Sequence, residues 1–161
     1  MALTAAQKVT LRADIAAKQA AAQPLFGVTN EQVIADYYNA VLNTYIVWKS
    51  AVYLAEVGAA FNSVELAGLS TANTNRLQVI AAYSGGVFNA SQADMRAGFD
   101  SIFSGTSGVL TRTALLALWK RPARRVEALF ATGTGTDAAP ATLVFEEQLT
   151  VQVVSDVIGG L

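Results

Sequence analysis

The pattern in this sequence that most suggests ligand chemistry is Gly133-Thr134-Gly135 followed by Ala138, a formal match to G-x-G-x-x-A. Such a loop binds a dinucleotide when it follows a strand and opens a helix, because the helix N-terminus presents free N–H groups to the pyrophosphate. Here the stretch is predicted to follow a helix and to precede Pro140 and a strand. This inverted context argues against nucleotide binding.

Catalytic side chains are scarce. The chain has no Cys and no His, which excludes thiol and imidazole nucleophiles, Ser-His-Asp triads and His/Cys zinc sites. Glu146 and Glu147 are adjacent and would point to opposite faces of a strand, and Asp94 and Asp100 do not share a helix face. A metal site built from carboxylates alone stays open, but no cluster supports one. We therefore expect no enzymatic activity and no cofactor.

A basic cluster is the strongest charge feature. It holds five of the 11 Lys and Arg residues: Arg112, Lys120, Arg121, Arg124 and Arg125. On a helix, the pairs Lys120/Arg124 and Arg121/Arg125 are spaced i, i+4 and would form a broad cationic side. That side would contact DNA phosphates or an acidic partner surface. The alternative is a solvated helix face paired locally with Glu127.

An aromatic-rich band runs through the middle of the N-terminal half. Its members are Tyr37, Tyr38, Tyr45, Trp48 and Tyr53. Because Lys49 is the sole basic residue among them, the band is more typical of a core than of a platform for stacking bases.

Charge is low for a chain of this size. Of the 161 residues, 14% are charged and 53% are hydrophobic, whereas globular chains have about 25% charged residues. A membrane protein, a poorly soluble monomer and a subunit covered by neighbours would each explain this. The longest charge-free stretch, 77–93, is interrupted by polar residues and glycines, and the N-terminus MALTAAQK lacks a secretory pattern. A subunit of an assembly, with no membrane association, is favoured.

The apolar spacing and capping residues predict a mainly α fold. Helices are expected over 4–22, from 29 or 30 to 42, and over 52–61, 70–83, 91–103, 110–120 and 122–130. Thr4 and Gln7 form a predicted capping box, Pro24 ends the first helix, and Ser91 caps the fifth. Residues 44–48 are β-branched and aromatic enough to form a strand.

The C-terminal part is predicted to differ from the rest. The alternation of Leu143 and Phe145 with their neighbours predicts a strand over 142–149, and Thr150 starts a short helix for which strand is nearly as good an alternative. We thus expect one helix-rich domain over 1–161, a helical bundle with a small β element near the C-terminus, and an arm over 132–161. The segment 133–140 would be a hinge.

The predicted arm strand needs a partner. The residues of a candidate intersubunit strand are Thr142, Leu143, Val144, Phe145 and Glu146. They would pair either with 44–48 of the same subunit or with a strand edge on a neighbouring protein.

Four stretches together resemble a family of small virion proteins of tailed bacteriophages. They are LTAAQKVTLRADIAA, VWKSAV, SQADMRAGFDSIF and, most specifically, RRVEALFATGTGTDAAPATLVFEEQLTVQVV. The resemblance runs in order along most of the chain and is weakest over 52–69.

The resemblance implies a structural role in the virion. The expected function is a ring-forming head–tail connector (adaptor) subunit in the neck, assembled in the host bacterial cytoplasm. Its partners would be copies of itself, portal, tail or neck proteins, and packaged DNA through a basic face. A capsid decoration protein, a tail structural protein and a small DNA-binding protein are the alternatives.

Overall fold

A computed structural model describes residues 3–21 and 30–159. In this part of the chain 58% of residues are helical, in nine helices, and the strands form two small two-stranded sheets. The mainly α prediction is confirmed. The predicted position of the β element is wrong, because the strands lie mid-chain, between residues 41 and 124.

The described elements follow one another in a fixed order. They are α1 (Ala5–Ala20), α2 (Glu31–Asn39), β1 (Val41–Trp48), β2 (Val52–Tyr53), α3 (Leu54–Ala60), α4 (Ser63–Ala67), α5 (Thr71–Tyr83), β3 (Val87–Phe88), α6 (Ala93–Ile102), a 3-10 turn (Thr106–Gly108), α7 (Val109–Leu118), β4 (Lys120–Arg124), α8 (Arg125–Phe130) and α9 (Val151–Ile158). Strand β1 pairs with β4, and β2 pairs antiparallel with β3.

The chain divides into two compact units. The split unit comprises Met1–Ile46 and Pro122–Leu161, and the continuous unit comprises Val47–Arg121. Each unit has its own buried apolar cluster. The division into units does not test whether residues 1–161 form a single domain, so that expectation stays a prediction.

The split unit is built around the helices at the two ends of the chain. The capping box of α1 is confirmed: Thr4 Oγ1 accepts from the Gln7 N–H, and Gln7 Oε1 accepts from the Thr4 N–H. Helix α2 is capped by Asn30, while the alternative cap Thr29 and the predicted stop at Pro24 lie outside the described residues. The buried members of this core are Leu3, Leu11, Ile15, Ile34, Ala35, Tyr38, Val126, Phe145, Leu149, Val154 and Val157.

The continuous unit has an aromatic core. Phe99 contacts Phe88, Phe61 and Trp119, with ring centroids 5.5, 6.4 and 5.4 Å away. The helix predicted over 91–103 is confirmed as α6, and its apolar side faces this core, since Phe99, Ile102 and Phe103 are buried and Met95 packs against them. The predicted cap is wrong: Gln92 precedes the helix, and the Ser91 hydroxyl donates to Asn89 Oδ1.

Two further boundaries differ from the prediction because strand-forming residues prevail over helical spacing. Helix α2 ends at Asn39, and β1 begins at Val41 instead of 44. Val52 and Tyr53 form β2 before α3 begins, so the helix predicted over 52–61 is shorter at its N-terminal end. β-Branched and aromatic side chains favour extended backbone at both places.

The predicted strand over 142–149 is not present, although the final helix α9 is confirmed and Thr150 caps it. Ala141, Phe145 and Leu149 are buried and Val144 is exposed, so burial repeats every four residues instead of every two. One isolated bridge, between Thr132 and Thr142, holds the start of this segment.

Candidate functional site

The predicted cationic helix face is wrong. Lys120–Arg124 is strand β4, and Arg125 is the first residue of α8. Pro122 explains the difference, since it lacks an N–H and disfavours helical backbone at the residue before it. Side chains alternate along a strand, so Lys120 and Arg124 lie on one face of β4 and Arg121 lies on the other.

The five basic residues have partners within the chain. Arg112, on α7, donates to the carbonyls of Phe103 and Gly105 at the end of α6. Arg124 forms an ion pair of 3.3 Å with Glu127, which is fully buried. Lys120 and Arg121 are engaged as well.

Arg125 packs against an aromatic side chain of the split unit. Its guanidinium carbon lies 4.1 Å from the centroid of the Tyr37 ring, and it donates to the Tyr37 carbonyl at 3.3 Å. Arg112, Arg124 and Arg125 thus stabilise local structure. Their contact with DNA or with an acidic partner stays a prediction.

The aromatic residues of the predicted band have different environments. Tyr38 is buried, Tyr37, Tyr45 and Trp48 are half-buried, and Tyr53 is exposed. Arginines far along the chain lie over two of these rings, Arg125 over Tyr37 and Arg96 over Trp48, and no sequence spacing indicates either contact.

The Gly/Thr loop contacts β1 within the split unit. Ile46 donates its N–H to the Gly135 carbonyl at 2.7 Å and accepts from the Ala141 N–H at 2.9 Å. The Tyr45 hydroxyl donates to the Gly133 carbonyl. The C-terminal segment therefore meets residues 44–48 of its own chain through the loop. Of the candidate intersubunit residues, Phe145 is buried against Phe130, and pairing with a neighbour stays a prediction.

An open cavity of about 360 Å³ lies in the continuous unit. Its lining residues are Trp48, Arg96, Asp100, Val109, Arg112, Thr113, Leu116 and Trp119. Two of them are arginines and one is an aspartate, so the ionised groups leave one positive charge. Sequence reasoning missed this site because its residues come from β1, α6 and α7, and no short-range spacing connects them.

Arg96 lines the cavity and is held in place by two contacts. Its guanidinium carbon lies 4.0 Å from the centroid of the Trp48 ring, a close cation–π contact, and it donates to the Ala90 carbonyl. Partial burial lowers the pKa of Arg96, and the Asp100 carboxylate opposes that change. The group stays charged at any physiological pH.

Trp119, on the same cavity wall, is 2% exposed. Its Nε1–H is buried and has no hydrogen-bond partner among the described residues. A buried donor left in this state costs about 1–3 kcal/mol. Trp119, which lines the cavity, therefore carries a polar group with no hydrogen-bond partner among the described residues.

Exposed apolar side chains concentrate in the continuous unit. Those of the described residues there are Tyr53, Leu54, Val64, Leu66, Val79, Tyr83, Val87, Val109, Leu110 and Leu116. Tyr53 and Val87 are directly opposite on the β2–β3 ladder and share one face. Exposed apolar side chains that lie side by side, as Tyr53 and Val87 do, are typical of contact sites.

Two further exposed apolar residues lie beside a contact between α4 and the start of α7. Glu65 of α4 accepts hydrogen bonds from the backbone N–H groups of Leu110 and Thr111. The exposed Val64 and Leu110 flank this contact.

Neither a metal-binding cluster nor a membrane-spanning helix is found among the described residues. Residues 3–21 and 30–159 contain no group of three or more Asp and Glu side chains placed to hold a metal ion. No helix within those ranges has the length and apolar character needed to cross a bilayer. Comparisons with family models, with curated proteins and with solved structures gave no match to this chain.

Proposed function

We propose that this chain is a non-enzymatic structural subunit of a tailed-phage particle, a ring-forming head–tail connector (adaptor) protein. The observation that carries the proposal is the exposed apolar surface of the continuous unit on a chain with 14% charged residues. Burial of such surfaces between copies would stabilise a closed ring, because apolar area removed from water favours association. The four phage-like sequence stretches supply the particle type.

Two surfaces are the proposed ring contacts. One is the Tyr53/Val87 face of the β2–β3 ladder, and the other is the Val64/Leu110 region. A subunit in a ring offers different surfaces to its two neighbours, and two separate apolar regions fit that requirement.

Light scattering coupled to size-exclusion chromatography tests the assembly. The purified chain should form a closed oligomer, and Tyr53→Lys or Val64→Lys should shift it towards monomer because a buried cation is costly. Asn75→Lys, on the exposed surface of α5, is the matched control and should leave the oligomer unchanged.

Mass spectrometry of purified virions tests the place in the particle. A copy number equal to one ring supports the neck, and a large excess over one ring supports a capsid decoration or tail protein. A monomer that is absent from particles would contradict the proposal. A DNA-binding function has weaker support, since Arg112, Arg124 and Arg125 have structural partners within the chain.

A further inference from the structure

We propose that the cavity between α6, α7 and Trp48 binds a carboxylate monoanion attached to an apolar group. This inference does not depend on the proposed phage function. It concerns Arg96, Arg112 and Trp119, which provide donors, and Trp48, Val109 and Leu116, which provide apolar surface.

The charge of the cavity favours a monoanion. The guanidinium groups of Arg96 and Arg112 carry two positive charges, and the Asp100 carboxylate carries one negative charge. A ligand with a single negative charge neutralises the remainder. A phosphate dianion would instead leave an excess negative charge close to Asp100, which is unfavourable at short range.

The hydrogen-bond donors suit a planar acceptor. A guanidinium has five N–H donors in its own plane, and the face of the Arg96 guanidinium is covered by Trp48. One Nη of Arg96 already donates to the Ala90 carbonyl, so the remaining N–H groups of its edge are the donors available to a carboxylate. Arg112 uses part of its own donor set on the carbonyls of Phe103 and Gly105, which fixes its position.

The unpaired Trp119 Nε1–H and the exposed apolar residues of the cavity also favour a carboxylate attached to an apolar group. The Trp119 Nε1–H is buried without a partner among the described residues, and a ligand oxygen close to the indole would remove that cost. Val109 and Leu116 line the cavity while 43% and 44% exposed. They offer contact to an apolar body, as most small-ligand cavities of this volume do.

The two tryptophans make the test direct, because Trp48 and Trp119 are the only two in the sequence and both line the cavity. The indole N–H signals in ¹⁵N–¹H NMR spectra of the full chain therefore report on this site. Titration with cyclohexanecarboxylate should shift them saturably. The neutral isostere cyclohexanecarboxamide should have little effect, and cyclohexyl phosphate should bind more weakly than the carboxylate.

Variants assign the effect to Arg96. Arg96→Gln should weaken carboxylate binding about tenfold or more, the value of a lost charged hydrogen bond. Arg96→Lys should lie between Arg96→Gln and the wild type, because it keeps the charge and loses the planar donors. The matched control is Arg76→Gln, since Arg76 of α5 donates to the exposed Ser101 hydroxyl and does not line the cavity.

Several results would overturn the proposal. They are equal shifts with the carboxamide, tighter binding of the phosphate, unchanged affinity in Arg96→Gln, and no saturable shift at all. If Arg96→Gln does not fold, the comparison of cyclohexanecarboxylate with cyclohexanecarboxamide on the wild-type chain still tests the proposal.

Capped peptides identify the source of the carboxylate. Acetyl-Leu-Glu-amide and acetyl-Leu-Gln-amide differ in the one group at issue. Binding of the glutamyl peptide as tightly as the free acid assigns the ligand to a side chain of a protein partner, and binding of the free acid alone assigns it to a small molecule. Both results support the shared carboxylate chemistry.

Discussion

Asn39 and Leu149 are 110 positions apart in the chain and form two hydrogen bonds with each other, each 2.8 Å long. The Asn39 amide donates to the Leu149 carbonyl and accepts from the Leu149 N–H. A neighbouring strand would satisfy those two backbone groups in the same way. A single side chain at the end of α2 thus holds the segment before α9 in place without a β ladder.

Replacing this amide should destabilise the split unit. Asn39→Ala leaves both Leu149 backbone groups without their partner, and the expected loss is about 1–3 kcal/mol in the free energy of unfolding. Urea denaturation followed by circular dichroism measures it. Asn43→Ala, at an exposed position of β1, is the control and should change stability little. Equal effects of the two changes would contradict this role for Asn39.

Gly135 should tolerate no side chain. Its φ is +68°, and an added Cβ would lie 2.4 Å from the Tyr45 ring. Gly85 has a similar φ of +60° with nothing within 4 Å, so Gly85→Ala isolates the cost of left-handed backbone, about 1–2 kcal/mol. Gly135→Ala should cost clearly more in thermal or urea unfolding.

A double variant tests the source of the extra cost. In a Tyr45→Ala background, the penalty of Gly135→Ala should fall to that of Gly85→Ala, because the clashing ring is gone. An unchanged penalty would show that the Tyr45 ring is not responsible.

Stability should depend on the ionisation of Glu65. Desolvation acts to raise the pKa of Glu65, but hydrogen bonds from Thr111 and Leu110 and the charge of Arg112 outweigh it and lower the pKa below 4.5. A carboxyl whose pKa is lowered by folding stabilises the folded state above its unfolded pKa and loses this effect as pH falls. Urea midpoints should therefore drop more steeply with acid in the wild type than in Glu65→Gln. Parallel pH profiles would contradict this.

Tyr38 should affect stability at the opposite end of the pH scale. Burial, and then its hydrogen bond of 2.5 Å to the Asp14 carboxylate, raise the pKa of Tyr38 well above 10.0. Because folding raises this pKa, the stabilisation is complete below the unfolded value and is lost as pH rises past it. Wild-type stability should therefore fall above about pH 10 more than that of Tyr38→Phe.

The Tyr38 hydroxyl should also stabilise the folded state at neutral pH, through its hydrogen bond to Asp14. Tyr38→Phe should lose about 1.5–3 kcal/mol, the contribution of a hydrogen bond to a charged group. Tyr83→Phe is the matched control, since Tyr83 is 89% exposed and should show no change. Equal losses would rule out a specific role of the Tyr38–Asp14 contact.

Local signals in the sequence sufficed for the elements that local chemistry determines. The Thr4/Gln7 capping box and the helices predicted over 70–83 and 91–103 depend on residues close to one another in the sequence, and the structure confirms all three. The strand predicted over 142–149 is absent because distant contacts determine the backbone there. Its alternation of apolar residues was outweighed by the distant Asn39 and by burial of Phe145 and Leu149 in the split unit.

The candidate sites were less predictable because they depend on long-range contacts. The i, i+4 spacing of the basic residues assumed a helix, and Pro122 made that backbone extended. The contact between Arg96 and Trp48 joins residues from α6 and β1, and no periodicity indicates which of the 11 cations meets which ring.

The division of the split unit into two chain segments has a consequence for folding during synthesis. Val47–Arg121 leaves the ribosome as one stretch and can complete its core first. The core around Leu11 and Ile15 needs Val154 and Val157 from α9, so it closes only after α9 has been synthesised. Nascent chains that lack α9 would thus leave the apolar side of α1 exposed to water and to other chains.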